Sequence, residues 1–336
     1  MAIIEVGLDT LVDVARQTGP DGKPAKIAQV LEQKNDIFLD APMYPSNQSM
    51  SSLTTLAASE PSGEWIGLNE GGSVEKPTTE QIVDGCGMLE SWSEVECKVA
   101  ELSGDVARYL ENKDKAFIGG LGKSVTNALM YNSIFTGNTK AFHGIMPRYN
   151  STTTGRGKDQ IIKVMPDGTS VTDNMSIVLV KWGEDSVYMQ YPKDLPSGLQ
   201  YDFKGKVTKE LANNKLMDVY RGKYDMYTGL VVVDYRCIVR ACNISLAAVL
   251  SSDPPNIIKT MSDMLDYLPD ADGACFYMEK TLISHLRWAM LNRHNTPVTV
   301  DDWMRDGRKL RSGRLSFMGH PIGRVDQMSK AEALVV

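Results

Sequence analysis

Apolar residues recur every three or four positions along residues 94–132. They are Val95, Val99, Leu102, Val106, Leu110, Phe117, Leu121 and Ala128. This spacing predicts one long amphipathic helix, or two in tandem, with a narrow apolar face. At a rise of about 1.5 Å per residue the segment would span roughly 55–60 Å. Because a glycine costs about 1 kcal/mol inside a helix, we expect a kink or break near Gly119. We expect the helix to serve as a spine on which other elements are laid.

Residues 1–45 carry two shorter helical patterns. Asp9 can cap the first helix, and Pro24 occupies a position suited to the start of the second. Neither pattern offers enough apolar surface for an isolated helix to fold. The segment is therefore expected to be an arm that rests on the body of this chain or on a neighbour.

Residues 46–93 contain few apolar residues among Ser, Thr, Gly and Glu, with turn signals at Pro61-Ser62-Gly63 and Gly71-Gly72. The pattern predicts an extended β-hairpin, since a loop of this length is unusual inside a compact domain. An isolated hairpin is marginally stable in water, and its exposed edges favour contact with other chains. A flexible surface loop is the alternative.

Strand patterns dominate residues 175–245. Residues 176–182 and 187–191 are predicted to be strands, and residues 227–241 one long bent strand. Asp234, Arg236 and Arg240 alternate along that strand, which predicts a solvated face. Helices are then predicted over 257–268 and 282–290, and strands over 276–278, 315–325 and 333–336. This alternation favours an α/β layer at the C-terminal end.

Composition narrows the class of protein. The chain has 336 residues, 42% of them hydrophobic and 23% charged, which is ordinary for a soluble protein. A net charge of −6 provides no basic surface for wrapping nucleic acid. There is no apolar run long enough to span a membrane, and residues 1–5 lack the features of a secretion signal. The cysteines show no C-x-x-C spacing, so we expect reduced thiols in a chain made in a cytoplasm.

Motifs for chemistry are missing from the sequence. Gly122-Lys123-Ser124 resembles the end of a phosphate-binding loop, but Phe117 occupies the place of the required glycine. No histidine has metal-ligand spacing with another His, Cys or acidic residue, and no G-x-S-x-G sequence occurs. We therefore predict no catalytic, cofactor-binding or metal-binding residues, and a protein that is not an enzyme.

A basic cluster lies near the C-terminus: Arg305, Arg308, Lys309, Arg311 and Arg314. We interpret it as an inter-subunit salt-bridge loop, because ion pairs repeated across a symmetric assembly can fix register although each is weak. A surface facing packaged nucleic acid and a simple solvated loop are the alternatives.

Several short segments resemble the GP7-like major capsid proteins of tailed bacteriophages. They are residues 10–16, 67–71, 90–95, 141–145, 228–236 and 317–322, with sequences TLVDVAR, GLNEG, ESWSEV, AFHGI, TGLVVVDYR and FMGHPI. Each segment is short, and the specificity comes from their order and spacing over most of the chain.

The resemblance implies an α+β capsid fold of the Hong Kong 97 type. That fold has an N-terminal arm, an extended loop, a peripheral domain with a spine helix, and an α/β axial domain. We expect these to be residues 1–45, 46–93, 94–150 with 175–245, and 251–336, with the spine helix at 94–132. Because the strand-rich block precedes the helix-strand block, we expect a non-circularly permuted order of elements. Expected inter-subunit contacts are Trp65, Leu68 and Glu70, with Arg305, Arg308, Arg311 and Arg314.

The function implied is that of a virion structural protein. It would self-assemble in the bacterial host cytoplasm into an icosahedral head of hexamers and pentamers around double-stranded DNA. Cement, scaffolding and portal proteins are expected partners, without sequence-specific DNA binding, cofactor or membrane. The alternatives are an encapsulin-like nanocompartment shell, which would enclose enzymes, and a soluble α/β enzyme, which would be monomeric with a ligand-binding cleft.

Overall fold

A computed structural model describes residues 35–59, 61–165, 173–211, 214–251, 254–292, 298–305 and 308–336. The two helices expected near the N-terminus lie outside these residues.

The helices, in chain order, are α1 (Ile37–Asp40), α2 (Cys97–Leu102), α3 (Val106–Tyr131), α4 (Leu246–Val249), α5 (Ile257–Asp266) and α6 (Lys280–Asn292). The strands are β1 (Met43–Pro45), β2 (Ser51–Ser59), β3 (Thr78–Gly85), β4 (Gly87–Glu96), β5 (Ile161–Lys163), β6 (Asn174–Lys181), β7 (Val187–Tyr191), β8 (Leu199–Glu210), β9 (Leu216–Val232), β10 (Ile238–Ser245), β11 (Ala274–Met278), β12 (Val298–Arg305), β13 (Arg308–Phe317) and β14 (His320–Arg324).

The strands of the described residues form three sheets. The large sheet has the order β12-β13-β14-β11-β6-β10-β5. The helix-backed sheet has the order β1-β7-β9-β4, with β8 also paired to β9. Strands β2 and β3 pair with each other in an antiparallel ribbon. This ribbon, with the connecting residues 61–77, is called the hairpin arm. The extended hairpin predicted within residues 46–93 is thus present, but its predicted end is wrong, since residues 87–93 belong to β4 of the helix-backed sheet.

The large sheet is covered on both faces. Strand β6 is buried along almost its whole length, as its continuous apolar run predicts. Val178 and Val180 belong to a core shared with β7 and β9 of the helix-backed sheet. Ile177 and Leu179 belong to a second core shared with α5 and α6. The alternation follows from the two-residue period of a strand.

The spine is two helices in tandem, α2 and α3. Its predicted start at residue 94 is wrong, because residues 94–96 still belong to β4. The break lies at residues 103–105, where the Asp105 side chain caps α3 by accepting the N–H of Arg108 at 3.1 Å. The expected break near Gly119 is wrong, because α3 continues through Gly119 to Tyr131. The apolar stripe also shifts. Leu102 is exposed, and Tyr109 is buried against Val95, Val99 and Ala100.

The predicted long strand over residues 227–241 is wrong. The chain leaves the helix-backed sheet after Val232, makes a 3₁₀ turn at Tyr235–Cys237 and enters the large sheet at Ile238. Asp234 begins the turn by accepting the N–H of Arg236 at 2.9 Å. The predicted solvated face also fails at Arg240, which is buried.

Two C-terminal strand predictions need correction. Residues 315–325 form not one strand but parts of β13 and β14, which are separated by a turn at Met318 and Gly319 with positive φ angles. Residues 333–336 form no strand. Val335 instead exchanges two hydrogen bonds with the side chain of Asn243, both 2.9 Å. The sequence interpretation also missed β8, whose residues alternate between polar and apolar without a buried face.

Residues 175–245 were expected to belong to one domain, but their strands lie in two different sheets. Strands β6 and β10, at its two ends, pair within the large sheet alongside β11 and β14. Strands β7, β8 and β9 belong to the helix-backed sheet. The block is therefore divided between two sheets. Its expected assignment to the peripheral domain and the expected permuted order stay predictions.

Candidate inter-subunit contact surfaces

The hairpin arm is buried at its base and exposed at its tip. Ser52 and Asp84 are paired across the ribbon and both are buried. Beyond them, Thr78 to Gln81 are exposed on β3, and Val83 is 59% exposed. Residues 61–77 are all exposed as well. The apolar residues of this region therefore gain no burial from their own chain.

The tip presents apolar side chains to solvent. Trp65, Leu68 and Val74 are 102%, 97% and 101% exposed, and Ile66 is 55% exposed. Isolated exposed apolar residues are common on proteins, but a cluster of large ones usually marks a binding surface. Two of the predicted contact residues, Trp65 and Leu68, are thus both fully exposed within residues 61–77 of the arm.

Acidic side chains organise the backbone of the tip. Glu70 accepts the N–H of Gly67 at 2.8 Å, and its own N–H donates to the Gly67 carbonyl at 3.2 Å. Glu64 accepts the hydroxyl of Ser73 at 3.0 Å, and Glu75 accepts the N–H of Gly63 at 3.2 Å. The third predicted contact residue, Glu70, therefore shapes the turn that displays Leu68, and the tip carries a negative charge.

Polar contacts hold the base of the arm to the body. Arg148 donates to the carboxylate of Asp84 at 2.7 Å, and the two side chains are 3% and 6% exposed. The amide of Gln190 on β7 donates to the Asp84 carbonyl at 2.7 Å. A Cβ at Gly229 on β9 would lie 2.7 Å from the Gly85 carbonyl, so only glycine allows the arm to approach this closely.

A groove lies between the start of β4 and the C-terminal half of α3. Its volume is about 550 Å³, which lies in the range of ligand-sized clefts. Met88, Leu89, Val125, Ala128 and Phe142 provide apolar lining, and the charged lining residue is Lys140. A second cavity of about 450 Å³ shares Leu89 and Ser124 with it and extends along α3 past Gly120. Glu90 also lines the second cavity. The two neighbouring cavities are here together called the spine groove.

The arginine cluster does not form a single surface. Arg305 and Arg308 are paired at the end of the β12–β13 hairpin, and Arg311 pairs with Trp303 across it. The side chains of these three arginines lie outside the described part of the structure. Arg314 is buried and binds both carboxylate oxygens of Asp40 at 2.7 Å. Its predicted role as an inter-subunit contact is therefore wrong.

The Arg314 contact anchors the segment around α1 to the large sheet. The Tyr277 hydroxyl donates to Asp40 at 2.7 Å and accepts the indole N–H of Trp182 at the same distance. Asp36 exchanges backbone and side-chain hydrogen bonds with Arg324 at 2.9 and 3.0 Å. Burial raises the pKa of Asp36, an effect that the Arg324 N–H partly offsets.

A similar arrangement anchors the C-terminal tail. Arg240 donates to Glu332 at 2.8 Å with both side chains 5% exposed, and it also donates to the Tyr149 carbonyl at 2.7 Å. The Tyr131 hydroxyl donates to Glu332 at 2.6 Å. In the described residues, buried arginine–carboxylate pairs thus anchor the N-terminal segment, the hairpin arm and the tail.

These buried pairs were missed by the sequence interpretation. Asp40, Asp84 and Glu332 stand far from their arginines in the chain, and no local spacing links them. The one available signal was an arginine inside an otherwise apolar strand, as at Arg240 in the sequence IVRACNIS.

The described residues contain neither a candidate metal site nor a candidate membrane-spanning helix. No grouping of His, Cys, Asp and Glu there could hold a metal ion. No helix within these ranges has both the length and the apolar character needed to cross a membrane. The five cysteines are free thiols.

A family model and several solved structures match the chain. A family model described as "Major capsid protein GP7" matches residues 19–336. A chain from the cryo-EM structure of bacteriophage epsilon15 has a TM-score of 0.79 and 25% identity, covering 100% of this chain and 99% of the phage chain. The bacteriophage JBD30 capsid has a TM-score of 0.49 and 13% identity over 98% of this chain and 100% of that one. An encapsulin from Synechococcus elongatus has a TM-score of 0.44 and 11% identity over 73% and 97%. No curated protein sequence matches the chain.

Proposed function

The chain belongs to the major capsid protein GP7 family, whose members form the shells of tailed phages, and we propose that its copies associate as hexamers and pentamers around double-stranded DNA. The fold is of the Hong Kong 97 capsid type, and the protein is a structural component of the virion. Its proposed mechanism is association without a catalytic step. Assembly in the host cytoplasm is part of the proposal and is compatible with five free thiols. Scaffolding, portal and cement proteins are its proposed further partners.

We assign the expected domains to the observed sheets. The helix-backed sheet with α2 and α3 is proposed as the peripheral domain, because its long strands β8 and β9 extend beside the spine. The large sheet with α5 and α6 is proposed as the axial domain. On this assignment, β6 and β10 belong to the axial domain and β7 to β9 to the peripheral domain.

The exposed apolar tip carries the proposal that the hairpin arm is an inter-subunit contact. Burying apolar surface is worth about 25 cal/mol per Å², so leaving Trp65, Leu68 and Val74 in water sacrifices several kcal/mol of available stabilisation. Each tip buried by a neighbour recovers that energy once per copy. Permanent interfaces often bury more than about 2,000 Å², and an outstretched arm reaches such an area without enlarging the body.

The spine groove of a neighbouring copy is the proposed acceptor of the tip. The first cavity of the groove is lined by apolar side chains and Lys140, and Glu90 in the second cavity is paired with Lys223 at 3.0 Å. The tip, in contrast, carries Glu64, Glu70 and Glu75. Complementary charge favours this pairing over an association of tip with tip, where the carboxylates would repel. Trp65 or Leu68 would enter the apolar part of the groove.

Deletion tests the role of the arm. Removing residues 60–75 is expected to leave folded subunits, because these residues add almost nothing to either core, but to abolish closed shells. Negative-stain electron microscopy counts the shells, and circular dichroism checks the fold. Normal shells from this variant would contradict the contact role.

Disulfide trapping tests the acceptor. In a Cys86→Ser background, Leu68→Cys with Asn127→Cys is expected to give inter-subunit disulfides in assembled shells, since Asn127 lines the groove. The matched control is Leu68→Cys with Lys115→Cys, which uses an exposed position on the same helix outside the groove. Equal cross-linking of both pairs would contradict the groove as the acceptor.

A further inference from the structure

The hairpin arm becomes more exposed to solvent beyond one pair of facing residues. Ser52 and Asp84 are the last buried pair of the ribbon, 1% and 6% exposed. At about 3.3 Å per residue, strand β2 then carries the tip roughly 25 Å away from this point. A rotation of about 10° at the base would move the far end by roughly 4 Å, about the distance over which an apolar contact is lost. The base therefore determines where the tip can bind.

Contacts from one loop of the body reach the arm at two levels. Arg148, which ends a 3₁₀ helix at Met146–Arg148, donates to Asp84 at 2.7 Å. Arg156, eight residues later, pairs with Glu80 on the same face of β3 at 2.5 Å. The inner pair is buried, and the outer pair is 37% and 56% exposed. Two contacts separated along a strand resist rotation, whereas one contact would act as a pivot.

Tyr235 lies between the two arginines. Its hydroxyl accepts Arg148 at 3.1 Å, and the guanidinium of Arg156 lies 5.8 Å from its ring centre. The Tyr235 carbonyl accepts the hydroxyl of Tyr149, which is fully buried, at 2.8 Å. Tyr235 belongs to the 3₁₀ turn that joins the helix-backed sheet to the large sheet. Through these contacts the arm is held against the turn that joins the two sheets.

We propose that Asp84, Arg148, Tyr235, Arg156 and Glu80, here called the arm clamp, set the direction in which the hairpin arm leaves the body. The inference rests on the proposed function of the arm as an inter-subunit contact and adds the residues that position it. Arg148 and Asp84 are positioning residues, since neither belongs to the exposed tip that would touch a neighbour. Removing them is expected to leave the tip intact but wrongly directed.

The first experiment measures arm direction in the unassembled subunit, so it does not depend on whether the arm binds a neighbour. Spin labels are placed at Ser62→Cys on the tip and Thr136→Cys on the body, in a Cys86→Ser background. Pulsed electron resonance is expected to give one narrow distance for the parent protein. Asp84→Leu with Arg148→Met replaces both members of the buried ion pair by apolar side chains. The double change avoids leaving one buried charge without its partner. The narrow distance is expected to be lost.

The second experiment separates positioning from stability. Arg314→Met with Asp40→Leu removes a similarly buried pair that anchors the segment around α1 instead of the arm, and whose other hydrogen-bond partners, Ile322 and Tyr277, lie in the large sheet. Only the Asp84 and Arg148 double variant is expected to lose closed shells in electron microscopy, when both are compared at equal distances below their melting temperatures. Misplacement acts on every arm of a shell at once, so the yield is expected to fall at least about tenfold.

The outcomes distinguish the clamp from the role of the arm itself. A narrow, unshifted distance in the Asp84 and Arg148 double variant, or normal shells from it, would overturn the clamp. If that result accompanied failed assembly after deletion of residues 60–75, the arm would still be a contact and only the positioning claim would fall. Normal shells from the deletion would overturn the proposed function of the arm, while the distance measurement would still test the clamp.

Discussion

The large sheet and the hairpin arm are both built from β-strands, but they differ in what covers them. Strand β6 is buried on both faces by residues of its own chain. The hairpin arm is only partly buried beyond Ser52 and Asp84, and residues 61–77 are all exposed. One element is thus complete within a subunit, and we propose that the other gains further burial from another copy. The comparison separates residues that stabilise the subunit from residues that build the shell.

The largest expected effect on the subunit comes from breaking a buried charge pair. Arg240→Met leaves the Glu332 carboxylate buried, so the free energy of unfolding should fall by about 3–5 kcal/mol. Arg236→Met is the matched control, because its pair with Asp234 is largely exposed, and it should cost no more than about 1 kcal/mol. Urea denaturation of the subunit measures both. Equal losses of unfolding free energy in the two variants would contradict the claim that the buried pair stabilises the subunit more than the exposed pair.

A smaller loss is expected from Gly144→Ala. A Cβ there would lie 2.5 Å from the Ala128 carbonyl and 2.8 Å from the Leu129 carbonyl, at the end of α3. Relieving this overlap should cost about 1–3 kcal/mol, because the Leu129 carbonyl also accepts the Ile145 N–H. The same denaturation experiment applies, and unchanged stability would show that the loop moves aside freely.

Acidic pH should weaken the body near the base of the arm. Burial lowers the pKa of His143 from 6.5 to about 4, and the adjacent Arg148 guanidinium adds to this shift. Between these values the unfolded chain binds a proton that the folded chain does not, so stability falls as the pH drops from 6.5 towards 4. His143→Phe should flatten this part of the stability profile. An unchanged slope would assign the pH response to other groups.

The smallest stability change should be a gain. Gly119→Ala places a Cβ in open space inside α3 and should stabilise the subunit by about 0.5–1 kcal/mol. It is the counterpart of Gly144→Ala, since both replace a glycine at or near the spine. A loss of stability or of shell formation would show that Gly119 has a role in contacts between copies.

Sequence periodicity predicted the elements whose burial repeats locally. The runs at β6 and α5 identify a strand and a helix because the pattern that defines each element lies within a few consecutive residues. The hairpin arm followed from turn residues and a scarcity of apolar positions. The bent strand over 227–241 failed because both sides of the 3₁₀ turn at Tyr235–Cys237 are apolar, and a pattern of burial does not reveal a change of sheet.

The same difference between local and long-range pattern applies to the predicted contact residues. The exposure of Trp65 and Leu68 followed from large apolar residues in a polar hairpin. Their contact with another copy stays a prediction. Arg314 was misassigned because its partner, Asp40, is 274 residues away in sequence. The Asp84–Arg148 pair was missed for the same reason, with a separation of 64 residues. Long-range charge pairing leaves no local pattern.

The most direct test measures the exposure of Trp65 before and after assembly. Hydroxyl-radical footprinting with mass spectrometry compares the oxidation of Trp65 with that of Trp288, which is 59% exposed on α6, in free subunits and in closed shells. We expect strong protection of Trp65 in shells and heavy oxidation in subunits, where it is fully exposed. Equal oxidation of Trp65 in both states would contradict the claim that the arm is completed by a neighbouring copy.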